Sequence, residues 1–269
     1  METSLHRDLK ALYAGRDAQV EVTLGAYRID VVSGDQLVEI QHGSLAAIRD
    51  KVRSLLAEHR VLVVKPIVAK KRLIKQSARG GRITGRRMSP KRGRLLDLFD
   101  DLVHFTRVFP HERLVLEVPL VEIEEWRYPG HGRRRRWRAS DHEVEDQKLI
   151  AVREVYRLRT AADVGRLIRS ARPLPRPFHT GHLAASLGVQ RWFAQRIAYC
   201  LRKIGTVEEV GKQGNARLYE FAVGGEYRQG KDFREKLIRI ERSSDGTGTM
   251  NGGIFASPGC ECGRAQSPI

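Results

Sequence analysis

Two acidic residues, Asp30 and Glu39, interrupt short apolar segments near the start of the chain, and turn residues at 33–35 separate these segments. A charged side chain inside a buried strand needs a partner, because its desolvation is costly. Residues i and i+2 share one face of a strand, so Gln41 points the same way as Glu39, and a tight hairpin brings Asp30 close to both. Converging carboxylates are natural oxygen ligands for a hard divalent cation such as Mg²⁺.

The apolar periodicity predicts the elements that would position these residues. We expect a helix at 4–14, strands at 19–24, 28–32 and 37–40, a helix at 44–58 that Ser44 caps, and a fully buried strand at 61–68 that ends the core sheet. Glu21, within the first strand, is a further candidate metal ligand, although we favour a solvated position on the outer face. His6 and Glu2 lie on the first helix, where we expect ordinary surface roles for both.

The spacing of Asp30 and Glu39-Ile40-Gln41 resembles the signature of the restriction-endonuclease-like, or PD-(D/E)XK, nuclease superfamily, in which an acidic residue and a short spacer precede Glu-x-Lys. The order of helix, three-stranded meander, helix and strand also fits this superfamily. The resemblance implies an α/β (α+β) core with a mixed sheet and DNA hydrolysis that depends on Mg²⁺ or Mn²⁺. It further implies that Asp30, Glu39 and the Ile40 carbonyl hold the metal. Nucleases of this kind that cut both strands often act as dimers, so a homodimer is one expectation, and the oligomeric state stays open.

Gln41 departs from the Lys that the superfamily most often has, although some members carry Gln at this position. In other members the catalytic Lys has moved to the following helix, where this chain has Lys51. Gln cannot supply the positive charge that Lys gives to the transition state, so the resemblance implies a slow enzyme or a catalytic role for Lys51. The alternative for Lys51 is a surface Lys whose aliphatic stem covers apolar atoms.

The overall charge favours a polyanionic partner. The chain has 269 residues, which is enough length for about two domains. Its net charge of +17 and its pI near 10.3 favour nucleic acid or an anionic membrane surface as a partner. No apolar run approaches the roughly 20 residues that span a bilayer, and we recognise no signal peptide. Three cysteines form no disulfide framework. A cytoplasmic protein that binds DNA, with RNA as an open alternative, is the default expectation.

Basic residues are concentrated in one segment. Residues 65–94 include twelve Lys or Arg and no acidic residue, and their glycines favour loops and hairpins. We expect a surface that follows phosphates, with Lys91, Arg92 and Arg94 among its contacts. A second basic cluster at 133–138 could touch a nucleic-acid backbone or could be a solvated turn. Helical spacing at 95–105 and a long strand at 113–126 separate the two clusters.

Residues 160–221 show the order of a winged helix-turn-helix domain. The patterns predict helices at 160–169, 180–187 and 190–204, capped in turn by Thr160 and Thr180 and ended by Gly188 and Gly205, and then strands at 207–210 and 217–221. The complete order resembles an uncharacterised bacterial family in which a nuclease-like domain precedes a winged helix. We therefore expect a nuclease-like domain at 1–155 with a basic β extension at about 65–140, a winged helix at 156–222, and a mostly disordered tail at 223–269.

The long helix at 190–204 separates into an apolar face, which includes Cys200 as a buried small side chain, and a polar face. Arg and Gln form bidentate contacts to guanine and adenine edges in the major groove, and basic residues of a wing suit phosphates. The candidate nucleic-acid contacts are Arg191, Gln195, Arg196, Tyr199, Arg202, Lys212 and Arg217. A protein-interaction role for this module is the alternative.

Two functions from different classes follow. The first is a metal-dependent DNA nuclease that a winged helix delivers to its substrate, with Asp30, Glu39, Gln41 and Lys51 as catalytic residues. The second is a non-catalytic DNA-binding or regulatory protein that retains a nuclease-like fold. The pair of acidic residues favours the first function, and Gln41 favours the second.

Overall fold

The computed structural model describes residues 2–130, 142–169 and 173–222 and the two-residue strand Arg234–Glu235. The described helices are α1 Ser4–Tyr13, α2 Arg49–Leu55, α3 Phe99–Leu102, α4 Ala161–Arg169, α5 Thr180–Leu187 and α6 Arg191–Ile204. The described strands are β1 Gln19–Leu24, β2 Tyr27–Ser33, β3 Gln36–Ile40, β4 Arg60–Val64, β5 Ile67–Gln76, β6 Ile83–Met88, β7 Leu114–Pro129, β8 His142–Leu158, β9 Val207–Gln213, β10 Ala216–Phe221 and β11 Arg234–Glu235. Short 3₁₀ turns at Leu45–Ile48 and Leu95–Leu98 precede α2 and α3.

A nine-stranded mixed sheet organises the α+β fold. Its first three strands form an antiparallel meander, and β3, β4 and β7 are parallel neighbours. The β2–β3 hairpin has the predicted turn, in which Gly34 has a φ of 58°. Strand β8 is antiparallel to β7 along nearly its whole length and also pairs with β11. The predicted meander and the predicted α/β class are therefore confirmed at the level of a mixed sheet.

The predicted strand at 61–68 is wrong in two respects. The structure divides it at Lys65-Pro66 into β4 and β5, which follow each other along the side of β7 that faces away from β8. Pro66 has no N–H to donate to the ladder, so the hydrogen bonding breaks there and resumes at Ile67. This segment also does not end the sheet, because β7 and β8 extend it further.

The two faces of the sheet carry separate apolar clusters. Helix α1 covers one face with Leu5 and Leu9, which pack with strand residues such as Val38 and Val64. Helices α2 and α3 cover the other face, and the cluster on that face continues without interruption into the C-terminal helices. It includes Val52 and Leu55 of α2, Phe99 and Leu102 of α3, and Ile197 and Leu201 of α6. The C-terminal helices therefore pack on the sheet domain and share its core.

The C-terminal module has three helices, α4, α5 and α6, followed by the antiparallel β9–β10 hairpin. Gly188 and Gly205 end α5 and α6 with φ values of 62° and 82°, as predicted. The predicted cap of α5 is corrected: the Nδ1 atom of His179, and not Thr180, accepts hydrogen bonds from the amides of Gly181 and His182. Cys200 is buried as predicted, and burial raises the pKa of its thiol to about 12.

Two predictions concern residues outside the described ranges. The basic cluster at 133–138 lies between β7 and β8, and almost all of the tail at 223–269 falls outside as well. Within the described parts of the chain, no helix is both long enough and apolar enough to cross a membrane.

Gly93 lies against β5 where only a hydrogen atom fits. Its amide donates to the Val68 carbonyl at 3.0 Å, and a Cβ at this position would lie 2.5 Å from that oxygen and 2.8 Å from Cγ2 of Ile67. We expect Gly93→Ala to lower the free energy of unfolding by about 1–3 kcal/mol, because strand and loop must move apart. Urea denaturation measures this, with Gly85→Ala as the matched control, since its nearest atom lies at 4.0 Å. Equal stability of both variants would contradict the prediction.

Candidate functional site

Asp30 and Glu39 lie where strands β2 and β3 diverge. Their backbone ladder ends at the pair Val31 and Val38, and side chains replace it beyond that point. The Asp30 carboxylate accepts a hydrogen bond from the Ile40 amide at 2.8 Å, and the Glu39 carboxylate accepts one from the Asp30 amide. Each carboxylate thus accepts a hydrogen bond from a backbone N–H that would have no partner where the two strands diverge. The hairpin brings the two residues together, as the sequence predicts.

The two carboxylates contact helices on opposite faces of the sheet. Asp30 lies 3.1 Å from Nε2 of His6 on α1, whereas Glu39 Oε1 lies 2.5 Å from Nζ of Lys51 on α2. Lys51 also donates to the Arg28 carbonyl. Asp30 and Glu39 are therefore neighbours along the backbone, but each has its own positively charged or protonatable partner.

The two carboxyl groups have opposite pKa shifts. Burial is the largest influence on Glu39 and, together with the charge of Asp30, it raises the pKa of Glu39 above its usual value despite the ion pair with Lys51. Burial also acts on Asp30, but hydrogen bonds from His6 and the Ile40 amide, with the charges of His6 and Lys10, outweigh it and lower the pKa of Asp30. The neighbours of Asp30 therefore favour its charged form, whereas the burial of Glu39 favours its neutral form.

The structure distinguishes between the two candidates for the missing positive charge. The Gln41 side chain donates to the Ser44 carbonyl at 3.0 Å, within the turn that leads to α2. Lys51, in contrast, is only 19 % exposed and reaches Glu39, which is 4 % exposed. Lys51 thus contacts the Glu39 carboxylate, whereas the Gln41 side chain hydrogen-bonds within the loop between β3 and α2.

Glu21 belongs to a separate charge cluster on the α1 side. Its oxygens pair with Lys10 at 2.6 Å and with Arg28, and Lys10 also pairs with Glu2 at 2.6 Å. His6 lies on the same face of α1 as Lys10, and it contacts Asp30. The expected surface role of His6 is therefore wrong. The i, i+4 spacing of His6 and Lys10 is the sequence signal that could have placed both toward the sheet.

The predicted metal ligands have protein partners in this structure. Among residues 2–130, 142–169 and 173–222, no group of three or more His, Cys, Asp or Glu is arranged to hold a metal ion. Asp30 contacts His6, Glu39 contacts Lys51, and the Glu21 oxygens contact Lys10 and Arg28. A divalent ion would have to displace Lys51 from Glu39.

The loop after Gln41 is fixed by a buried lysine that sequence reasoning missed. Lys65, at the end of β4, pairs with Asp101 at 2.9 Å and donates to the carbonyls of His42 and Gly43. Asp101 also accepts from the Leu45 amide at 3.2 Å. These contacts join the loop after β3, the 3₁₀ turn that precedes α2, and α3, and they form the corner behind Glu39 in the chain order β3, loop, α2.

The β5–β6 hairpin and the loop that follows it carry basic side chains of two kinds. Those on β5 beside β7 are neutralised by acidic residues of β7, namely Lys70 by Glu122, Lys71 by Glu125 and Arg72 by Glu124. The others are exposed and have no acidic partner in the part of the chain that the structure describes. They are Lys75, Arg82, Arg86, Arg87, Lys91, Arg92 and Arg94.

The residues predicted on α6 and the following hairpin are mostly at the surface. Arg191, Gln195, Tyr199 and Lys212 are exposed, and Arg202 is half-buried. Two predicted contacts have acidic partners instead: Arg196 pairs with Asp100 of α3, and Arg217 pairs with Glu209 at 2.9 Å. The Arg196 pair ties α6 to the sheet domain, one residue before the Asp101 that holds the corner behind Glu39.

Comparisons with known proteins identify relatives whose functions are not established. A protein of Treponema pallidum (strain Nichols), named "Uncharacterized protein", is 28% identical over 236 residues, which cover 87% of this chain and 91% of the relative. No solved structure matches the chain. A family model described as "Domain of unknown function (DUF8091)" matches residues 3–159, from α1 to the end of β8. Because this match covers more than half of the sequence, the chain belongs to the DUF8091 family.

Proposed function

We propose that this protein binds nucleic acid. The observation that carries the proposal is the set of exposed, unpartnered Lys and Arg side chains on and after the β5–β6 hairpin, together with the net charge of +17. An exposed cation without an acidic neighbour contributes most to the free energy of binding a phosphate, because its binding releases the counterion condensed on that phosphate. Paired cations such as Arg72 gain less, since an internal carboxylate already neutralises them.

The shape of the hairpin supports the same function. Strand β6 pairs with β5 alone among the described strands, and nearly all of its residues are exposed on both faces. Such an edge strand with basic side chains resists pairing with other strands and remains open to a partner of opposite charge. Arg86 and Arg87 follow each other and therefore point to opposite faces of the strand. The hairpin can thus contact phosphates on both of its sides.

The C-terminal module adds a second candidate surface under this proposal. The order of α5, α6 and the β9–β10 hairpin is that of a winged helix-turn-helix, and the sheet domain would be a restriction-endonuclease-like core. Both assignments remain proposals, as do the homodimer and the cytoplasmic location expected from the sequence. In the proposed arrangement, α6 contacts the bases and the hairpins contact the backbone.

Binding is tested by fluorescence anisotropy with labelled duplex and single-stranded oligonucleotides at several salt concentrations. We expect the logarithm of the association constant to fall linearly with the logarithm of the salt concentration, with a slope of about −0.9 per duplex phosphate contacted. An anionic lipid vesicle is the comparison partner, because a strongly basic protein can also bind membranes. Tight binding to vesicles without binding to either oligonucleotide would contradict the proposal.

A second candidate function is hydrolysis of phosphodiesters at Asp30 and Glu39. The specific observation in its favour is Lys51, which lies 2.5 Å from Glu39 and supplies the positive charge that Gln41 lacks. Two acidic residues and a lysine at the diverging ends of two strands would match the superfamily signature in residue types. The displacement of Lys51 that a divalent ion requires makes this the secondary proposal.

Hydrolysis is tested with supercoiled plasmid and a labelled duplex in Mg²⁺ or Mn²⁺. We expect Asp30→Asn and Glu39→Gln to reduce cleavage at least about 100-fold if these carboxylates act on the reacting phosphate. Asp35→Asn is the matched control, because Asp35 lies on the same hairpin, is 75 % exposed and pairs only with Arg60 within the described chain. Metal-independent cleavage, or equal loss in all three variants, would rule out this site.

A further inference from the structure

Two large aromatic side chains are exposed on α6. Trp192 is 58 % exposed and Tyr199 is 41 % exposed, although the same helix buries its opposite face completely in the core. Aromatic rings contribute most when their faces are covered, so rings at the surface of a well-packed helix are available to a partner. The positions differ by seven residues, which places them on the same side of the helix about 10 Å apart.

Each ring is accompanied by a cation four residues later. The guanidinium of Arg196 lies 5.3 Å from the centre of the Trp192 ring, and the ammonium of Lys203 lies 6.0 Å from the centre of the Tyr199 ring. Helix α6 contains no acidic residue, so this surface is aromatic and basic along its length. The ion pair of Arg196 with Asp100 also holds the helix against α3, so the surface exists before any partner binds.

Binding to a duplex does not account for the two exposed rings. A helix in the major groove reads base edges through hydrogen bonds, and the base faces in a duplex already stack on each other. Single strands expose the base faces, and proteins bind them with aromatic side chains on which bases stack, next to cations that contact the backbone. The spacing of about 10 Å between the two rings leaves room for a strand to place separate bases on each of them.

We propose that the exposed face of α6 is a binding surface for single-stranded nucleic acid, with one base stacked on Trp192 and another on Tyr199. The inference rests on the proposed nucleic-acid function and specifies the substrate class. Arg191, Arg202 and Lys203 supply the charge that follows the backbone, while Arg196 remains paired with Asp100. Gln195 lies between the two rings, where it can hydrogen-bond a base edge.

The test compares a labelled single strand of about 12 nucleotides with the matching duplex, because single-strand sites span about 4–16 nucleotides. We expect the wild type to prefer the single strand, and Trp192→Ala and Tyr199→Ala each to weaken that binding about tenfold or more. The salt slope should not change, because these variants remove stacking and leave the phosphate contacts in place. Trp192→Phe and Tyr199→Phe keep a ring and should retain most of the affinity. Circular dichroism checks that the exposed substitutions leave the fold intact.

Tryptophan fluorescence gives an independent measurement. The chain has three tryptophans, and stacking on Trp192 should quench emission in the wild type but not in Trp192→Phe. Equal affinity of the wild type for duplex and single strand, with no effect of Trp192→Ala, would overturn the inference and leave the proposed function standing. Failure to bind either oligonucleotide would overturn both. Self-association that Trp192→Ala abolishes, without single-strand binding, would assign this face to a second copy of the chain.

Discussion

Replacing Arg82, Arg86 and Arg87 with Gln should make nucleic-acid binding markedly less sensitive to salt. Each phosphate contact contributes about 0.9 to the slope of log K against log salt on duplex, so three lost contacts reduce it by as much as about 2.7. These side chains are exposed and have no acidic partner in the described ranges, so their full charge is available to phosphate. At about 0.1 M salt the affinity should fall about tenfold or more.

The matched control removes the same number of arginines from elsewhere. Arg49 and Arg53 share Asp50, and Arg60 pairs with Asp35, so each of these three already has an acidic neighbour. The variant with Arg49, Arg53 and Arg60 replaced by Gln has the same net charge as the hairpin variant. If both variants shift the slope equally, binding depends on overall charge and the hairpin has no specific role.

The second large effect should come from Lys51→Met, which leaves the Glu39 carboxylate buried without its ion pair. Removal of one partner from a buried pair costs about 3 kcal/mol or more, because the remaining charge has lost its compensation. We therefore expect a loss of about 3 kcal/mol in the free energy of unfolding at pH 7.5, measured by urea denaturation. Lys51→Arg, which keeps a positive charge, should lose much less.

The effect of Lys51→Met should depend on pH in a direction that the pKa of Glu39 fixes. The pKa of Glu39 is already raised in the folded protein, and loss of the ammonium raises it further. A group with a raised folded pKa contributes stability that is complete below its unfolded pKa, near 4.5, and is lost as the pH rises through the folded pKa. The free energy of unfolding of the variant should therefore be close to that of the wild type near pH 4. It should fall progressively below the wild-type value as the pH rises.

A double variant separates this ion pair from simple loss of packing. Glu39→Gln combined with Lys51→Met removes both charges, so it should recover most of the stability that Lys51→Met alone loses at pH 7.5. A pH-independent loss in Lys51→Met, with no recovery in the double variant, would show that the Lys51 stem contributes through packing. In that case Glu39 would be stabilised by its other contacts.

Much of the local structure could be predicted from the sequence, because short-range patterns determine it. Alternating apolar residues and a glycine turn define the β2–β3 hairpin, and the glycines at 188 and 205 end α5 and α6. The apolar stripe of α6 was assigned correctly, including Cys200. Each of these features depends on residues a few positions apart, whose backbone preferences and periodicity are visible without a fold.

Strand β8 shows where such patterns fail. It spans His142–Leu158 and pairs with β7, yet the sequence patterns indicate only a strand without bounds after the Arg-rich cluster. Its ladder with β7 shifts register at three places, so the alternation of buried and exposed residues is interrupted repeatedly. A period-two search cannot recognise a strand whose faces change along its length.

The position of the two carboxylates follows from the sequence, but their contacts follow from the tertiary structure. The sequence alone identified Asp30 and Glu39 as neighbours on a hairpin, since a tight turn leaves no other arrangement. Only the tertiary structure decided what each carboxylate contacts, because the β2–β3 ladder ends between them and helices from opposite faces of the sheet supply His6 and Lys51. The charge state of a buried carboxylate depends on such distant partners, and spacing along the chain does not encode their positions.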